Sequence, residues 1–402
     1  MKKSFILLLF ASLCIFNVDA QKKIPHNFRA FGTQPSKRTE IILPQVNGYN
    51  IYKGDFHIHT SYSDGRVTPG GRVTEAWLDG LDVIAITDHY EGTSGLKKAL
   101  KVAAPLGPEG KPLEYKSARD NGSVTADFNA IHKEAEWQLK RSGYNMLLIK
   151  GCEMAREPKE YGHFNCLFLK DINTVYDPDI AEAFKKVHKQ GGIVIHNHPS
   201  YRRPGGTTEK SESHKKLYDA GLIDAVEVAN GVNFYPQMVR RCIEENLTMF
   251  GNTDEHGLTS YRFGSHGCYR TMTLILAKNL TEKAIKDAFL KRRTLVYTCG
   301  YIAGEEKLLS DFLNAAVNCQ ILKENEKKGE RTFMLTNMSS ITYRLRRGKT
   351  VYELEPFKSV MVSIGKDKKS GEYGEPKFTV DNMWHVDFKH PAITLELDKN
   401  KK

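Results

Sequence analysis

The sequence predicts an α/β fold, a distorted seven-stranded (β/α)7 barrel followed by a small antiparallel, sandwich-like β region, and three features carry that reading. Strand-like and helical segments alternate from Asn50 to Arg292. Residues with metal-ligand chemistry recur where the apolar, strand-like runs end. Beyond about Gly304 the alternation gives way to short strands bounded by Asn, Gly, Pro and Lys.

Strands are expected at Asn50 to Ile58, Asp82 to Thr87, Asn145 to Lys150, His163 to Leu169, Gly192 to Ile195, Ala225 to Ala229 and Thr248 to Gly251. Helical periodicity falls at Gly70 to Asp79, Thr125 to Arg141, Pro178 to Lys189, Phe234 to Glu245 and Thr281 to Arg292. Alternation of this kind implies a parallel sheet. The connection from Tyr90 to Val124 contains Pro105, Pro108, Pro112 and several glycines, and is long for a strand-to-helix link. Long loops on a barrel mouth usually act as lids, an inert insertion being the plainer reading.

Past Gly304, a helix-like run from Glu305 to Ala316 leads into strands at Thr332 to Asn337, Thr342 to Arg346, Val351 to Leu354, Ser359 to Ile364, Phe378 to Val380 and Ala392 to Leu397. The expected division is residues 21–303 for the barrel and 304–402 for the β-rich domain, which carries no chemistry of its own. Residues 1–20 read as a cleaved export signal. Lys2-Lys3 is a short basic start, Ser4 to Val18 is apolar but too short to span a bilayer, and Val18-Asp19-Ala20 precedes the expected cut. With no second apolar stretch of spanning length, the expectation is an exported, periplasmic or secreted protein without a transmembrane anchor.

The chain has 402 residues, 40% of them apolar and 27% charged, enough for one large core or two domains. The formal charge of +11 is compatible with nucleic acid, an anionic surface or a phosphorylated substrate. No block of five like charges and no basic stripe interleaved with aromatics marks a strand-binding groove, so nucleic acid is not the favoured partner. Beyond Cys14 there are six cysteines, Cys152, Cys166, Cys242, Cys268, Cys299 and Cys319. None has Cys-x-x-Cys spacing. Cys152 and Cys166 fall in strands and read as small apolar residues. Export permits disulfides without requiring them.

A parallel barrel brings the C-terminal ends of its strands to one face, so ligands far apart in sequence converge there. Apolar runs end at His57 and His59, with Asp64 just after, and then at Asp88-His89, at Glu153, near His163, at His196-Asn197-His198 and at Asp254-Glu255-His256. Side chains alternate along a strand, so His57 and His59 point the same way while Phe56 and Ile58 point into packing.

The ordered motifs Asp-Phe-His-Ile-His-Thr, Ser-Asp-Gly, Ile-Thr-Asp-His, Gly-Cys-Glu-Met, His-Phe-Asn-Cys-Leu, His-Asn-His-Pro and Thr-Asp-Glu-His resemble those of the polymerase and histidinol phosphatase (PHP) family of metal-dependent phosphoesterases. The resemblance runs from Gly54 to Tyr297. It is similar within that family to an exported, phosphodiesterase-like branch. The resemblance implies two or three divalent ions, Zn, Mn or Fe. His57, His59, Glu153 and Asp254 would hold the first, and Glu153 would bridge to a second held by His163 and His198. A third would sit among Asp64, His89 and His256, where Asp64 stands in a position that is His in some relatives. The catalytic candidates are Asp254 and His256. Asp55 and Asp88 read either as carboxylates orienting imidazoles or as strand-end caps.

Such a cluster suits a phosphoester for a reason independent of the name. Closely spaced divalent ions neutralise the anionic oxygens and lower the pKa of a bridging water toward ~7. Candidate substrate contacts are His196, Arg202, Arg203, His266 and Arg119, with Arg270 and Lys116 as further cations. Ordinary surface or packed residues are the alternative for each. His132, His188 and His214 read as solvated or packed. The expected activity is hydrolysis of a small phosphoester, a diester ahead of a monoester or nucleotide. The alternatives are a metal-dependent amidohydrolase and a non-catalytic metal-binding module. The oligomeric state is not legible.

Overall fold

The computed structural model describes residues 37–90, 115–116, 125–155, 162–201, 203–367 and 369–398. The expected export signal, most of the Tyr90 to Val124 connection with Arg119, and Arg202 lie outside the described residues; Lys116 is described only as backbone of a two-residue strand.

Seven strands surround the ligand-bearing ends: β1 (Asn50–Asp55), β2 (Val83–Ile86), β3 (Leu147–Ala155), β4 (His163–Leu167), β5 (Ile193–His196), β6 (Ala225–Asn230) and β7 (Thr248–Asn252). They are sequential neighbours in one sheet. β2 reads Val-Ile-Ala-Ile and is buried at all four positions, as a strand covered on both faces must be. The helices between them form for local reasons. Thr68 caps α1 (Pro69–Leu78) by accepting from the Gly71 amide, and proline opens the first turn. In α3 (Ile180–Lys189) Asp179 caps the N-terminus, while Ile180, Ala183, Phe184 and Val187 form the buried face at helical spacing. The other helices of eight residues or more in the alternating region are α2 (Phe128–Ser142), α4 (Glu212–Asp219), α5 (Pro236–Glu244) and α6 (Glu282–Leu290). Of these, α4 was not expected.

The sheet is the distorted α/β barrel expected, but it is not limited to seven parallel strands. It has twelve strands and is mixed. β1 runs parallel to β2, β2 to β3, β5 to β6 and β6 to β7, but β4 is antiparallel to both β3 and β5. The connection from β3 to β4 is too short for the crossover of roughly a dozen residues that a parallel neighbour needs. Two further strands, β8 (Met272–Ala277) and β9 (Thr294–Thr298), continue antiparallel from β1, followed by β10 (Tyr301–Ala303).

The sheet curls until β7 meets β8 and β9, and threonine side chains replace a backbone ladder at that seam. The Thr273 hydroxyl donates to the Gly251 carbonyl at 2.9 Å and Thr294 donates to that of Met249 at 2.9 Å. A Cβ on Gly251 would lie 2.7 Å from Val296 Cγ1, so the close approach requires glycine. At the mouth the seam is backbone: the Asp254 amide donates to His57 O at 2.9 Å and the His59 amide to Glu255 O at 3.1 Å.

Helix α7 (Glu306–Ala316) leads into the C-terminal strands. Val317–Asn325, Glu330–Asn337 and Ser359–Gly365 form one antiparallel sheet. Thr350–Leu354, Tyr343–Arg347, Lys377–Val380 and Ala392–Thr394 form another. Phe333, Leu335, Val362 and Ile364 from the first and Tyr343, Leu345, Phe378 and Val380 from the second share a buried cluster with α7. Met383–Trp384 pairs with β10, stitching this region to the barrel sheet.

His188, at the end of α3, places Nε2 2.8 Å from Asp224 Oδ2, which also accepts from the Val194 amide at 2.8 Å. The Asp224 hydrogen bond raises the His188 pKa above its ordinary value. That contribution to stability is complete below the unfolded value of about 6.5 and is lost as pH rises through the higher folded value. His188→Ala is expected to destabilise the fold by at most about 1 kcal/mol near pH 6, given the half-exposed pair. The deficit should shrink at alkaline pH in urea unfolding; a deficit independent of pH would contradict the pairing.

Candidate metal centre

Nine side chains converge where β1, β2, β3, β5 and β7 end and where the antiparallel β4 begins. His57 Nε2 lies 3.2 Å from Glu153 Oε1 and 3.2 Å from Asp254 Oδ1. His59 Nε2 lies 3.2 Å from Asp254 Oδ1 and 3.4 Å from Glu153 Oε2. His89 Nδ1 is 2.8 Å from Glu153 Oε2, and His163 Nδ1 is 3.2 Å from Glu153 Oε1. His198 Nε2 stands farther back, 3.7 Å from Glu153 and 3.9 Å from Asp254. On the open side, Asp64 lies 3.1 Å from His256 Nε2 and 3.5 Å from His89 Nε2.

The aim of these atoms distinguishes the cluster from a set of salt bridges. His57 Nε2, His59 Nε2, His89 Nδ1 and Glu153 Oε2 are buried and lack a hydrogen-bond partner, although opposite groups are close. Lone pairs that converge without donors between them fit a shared cation, and imidazole with carboxylate and no thiolate suits Zn, Mn or Fe. Ligand atoms fall within 4.8 Å of one another in four overlapping groups: His59-Asp64-His89-His256, His57-His198-Asp254, His57-His59-Glu153 and His89-Glu153-His163. These groups differ from the resemblance-implied sets: His89 also joins Glu153 and His163, and Asp254 is not grouped with His59 and Glu153. His59 joins the Asp64 group, and His198 groups with His57 and Asp254.

Burial alone would push the Glu153 carboxyl up, but His89, His57 and His163 hold it well below the usual carboxylate range. Asp254 is likewise held low against burial, by His57, His59 and His198. For His57, burial opposes the charge, yet Asp254, Glu227 and Glu153 raise its pKa; for His59 burial prevails and lowers it. His198 and Asp254 have φ of +25° and +52°, left-handed values that cost a residue with a Cβ on the order of 1 kcal/mol.

A second layer fixes the imidazoles. Glu227, absent from the sequence-derived set, accepts from His57 Nδ1 at 2.8 Å, the His198 amide at 2.7 Å, and Asn230 and Asn252 at 2.8 and 2.9 Å. With Nδ1 donating there, His57 presents its Nε2 lone pair to the cluster. Asn197 donates to Glu153 Oε1 at 2.8 Å. Asp88 accepts from the Ser63 hydroxyl at 2.6 Å, and Ser63 Oγ lies 3.2 Å from His59 Nδ1, so Asp88 reaches an imidazole through serine. Asp55 instead organises backbone, accepting from the His57 and Thr253 amides and pairing with Arg270 at 2.6 Å.

The residues expected to touch substrate are placed differently. Arg270 is buried between Asp55 and Asp79 and is not free for a phosphate. His196 is buried, bonded to the Tyr218 hydroxyl at 2.9 Å and packed on Phe164 and His214, outside the ligand groups. Arg203 donates to Glu209 O and lies 3.2 Å from His214 Nδ1. His266 is exposed in a short turn. His214 is packed and closes a capping box on α4, and His132 pairs with Glu136. A residue not foreseen, Tyr201, sets its half-exposed ring 4.9 Å from that of His198 and 6.0 Å from that of His163.

A curled, mixed α/β sheet with a histidine-carboxylate cluster at one mouth defines a metal-dependent hydrolase class, and comparison narrows it. No protein-family model matches the chain, and no curated protein matches it. Among solved structures it is similar to a two-domain protein of Bacteroides vulgatus containing a domain assigned as a PHP-like metal-dependent phosphoesterase, with 30% identity, a TM-score of 0.76, and coverage of 91% of this chain and 100% of that one. Two more distant likenesses are to a protein of Bifidobacterium adolescentis assigned as a metal-dependent phosphoesterase and to an amidohydrolase of Chromobacterium violaceum. The first has 15% identity and a TM-score of 0.36 over 60% of this chain and 96% of that one. The second has 14% identity and a TM-score of 0.31 over 51% and 87%. The chain belongs to the PHP-like metal-dependent phosphoesterase family.

Glu227→Gln keeps the volume of the side chain but turns one acceptor into a donor. It is expected to weaken metal binding by about 10- to 100-fold in chelator competition. Wild-type affinity in that variant would remove Glu227 from its orienting role.

Proposed function

We propose that this protein is an exported metal-dependent phosphodiesterase acting on small phosphoesters. The observation that carries the reading is the set of buried, unpartnered Nε2, Nδ1 and Oε2 atoms facing one another around Glu153. In this reading His57, His59, Glu153 and Asp254 hold one ion, Glu153, His163 and His198 a second, and Asp64, His89 and His256 a third, with Zn, Mn or Fe as the metal. Bound divalent ions supply charge neutralisation for the phosphate oxygens and activation of water.

The chain's own groups do the rest. Glu227 and Ser63 fix the tautomers of His57 and His59, so that little reorganisation accompanies the reaction. Asp254, with its side chain 21% exposed, is the carboxylate placed to take a proton from attacking water. Asp64 and His256, at 37% and 36%, form the accessible edge, where the His256 Nδ1 lies 2.9 Å from the Asp254 carbonyl and so turns Nε2 toward Asp64. Diesters are favoured because a monoester brings an additional negative charge that calls for additional cations. Arg203 is engaged by its own loop, and Arg270 by Asp55 and Asp79. The basic Lys2-Lys3 start and the apolar Ser4 to Val18 run support export. Among the described residues no helix is long and apolar enough to cross a membrane.

The test is metal-reconstituted protein assayed on a panel of chromogenic mono- and diesters, with metal counted on the same sample. Diesters should show the higher kcat/KM, and Glu153→Ala should abolish turnover and lower metal content. Asp64→Asn should remove about one ion, since the amide keeps the shape and loses the charge. Monoesters hydrolysed far faster than every diester would reject the diesterase reading. Full turnover by Glu153→Ala would reject the assignment of Glu153 to the ions.

A further inference from the structure

We propose that Cys268 and Cys299 form a disulfide that clamps the loop following the Asp254-Glu255-His256 motif to the turn between β9 and β10. The pairing of β8 with β9 runs to Met272 opposite Tyr297 and is prolonged by a 2.8 Å bond between the Thr271 and Thr298 hydroxyls. Cys299 is the next residue after Thr298, and Cys268 lies on the segment entering β8. Tyr269 and Tyr297 pack at 6.1 Å beside them. Cys299 is a side-chain neighbour of the Cys268 thiol, which also points to the Phe263 carbonyl at 4.0 Å, and both residues are partly accessible. Cys299 and Gly300 have φ of +44° and +87°, the tight turn that joins β9 to β10.

The remaining described cysteines offer no such site. Cys152, Cys166, Cys242 and Cys319 are fully buried. Cys152 and Cys166 are opposite one another in β3 and β4, yet closed to an oxidant. The segment bearing Cys268 is already tied at both ends, by Arg262 donating to the Thr253 carbonyl and by Arg270 pairing with Asp55. A crosslink at Cys268 would fasten its middle, next to the backbone that presents Asp254 and His256.

The oxidant is a low-molecular-weight disulfide such as glutathione disulfide. One cysteine thiolate attacks a sulfur of that reagent, forming a mixed disulfide and expelling one thiolate; the second cysteine thiolate then attacks the protein-bound sulfur and expels the other. Two protein thiols become one disulfide, the reagent becomes two thiols, and the two protons lost by the cysteines pass to the leaving sulfurs. Burial and Cys299 push the Cys268 thiol up to about 11, so crosslinking accelerates with pH.

The experiment treats the full-length protein, prepared with its cysteines reduced, with glutathione disulfide and maps crosslinked peptides by mass spectrometry. The expected result is one intramolecular Cys268–Cys299 peptide pair, formed faster at higher pH, and a melting temperature higher than that of the reduced protein by on the order of 5 °C. Cys268→Ser and Cys299→Ser should each lose both the crosslink and the shift while leaving a single reactive thiol. The proposal is overturned if both residues remain thiols or stop at mixed disulfides with glutathione. It is equally overturned if the mapped pair involves another cysteine, or if the pair forms without a change in melting temperature.

Discussion

A fully buried carboxylate facing five imidazoles is the constraint on which the rest of this structure depends. Glu153 lies within 3.7 Å of His57, His59, His89, His163 and His198, which arrive at the ends or just beyond the ends of four other strands. Taking one carboxylate out of water costs several kcal/mol unless compensating charge surrounds it. The strands beside β3 bring His89 and His163, and those one place further out, β1 and β5, add His57, His59 and His198. The curl of the sheet is therefore an electrostatic requirement of the site as much as a packing solution for the core.

The seam where the curl closes shows how the fold meets that requirement. A continuous ladder between β7 and β1 would leave no room for β8 and β9, so threonine hydroxyls and one glycine accommodate the close approach. At the mouth, Asp55 binds the His57 and Thr253 amides and Arg270 at once, joining the two chain segments that carry His57 and Asp254. Asp55 and Arg270 are buried, charged and mutually satisfied. Substituting either alone would strand the other's charge in the interior, and the damage would reach the metal ligands through the backbone.

Much of this was legible in the chain because two signals coincide: apolar runs mark the strands, and polar residues with ligand chemistry sit at their ends. Nine candidate ligands read that way do converge. What was not legible depends on long-range partners or on direction. The antiparallel course of β4 follows from a short connection rather than from its composition. β8 reads Met-Thr-Leu-Ile-Leu-Ala, a plain apolar run, but nothing local says that it pairs with β1. Glu227 had a signal that could have been used, a lone carboxylate inside the apolar run Ala-Val-Glu-Val-Ala. Arg270 read as a candidate phosphate contact because its partners, Asp55 and Asp79, are remote in sequence. His196 shares the residue type and spacing of His198, and only the three-dimensional packing against Phe164, His214 and Tyr218 separates the two.

The most direct test of the central claim, that this cluster is a polynuclear metal centre, is diffraction from crystals grown with manganese and measured on either side of the manganese absorption edge. The account predicts at least two anomalous peaks inside the cluster, one of them adjoining Glu153 between His57 and His163. Anomalous density confined to surface sites, with water alone among these nine side chains, would contradict it.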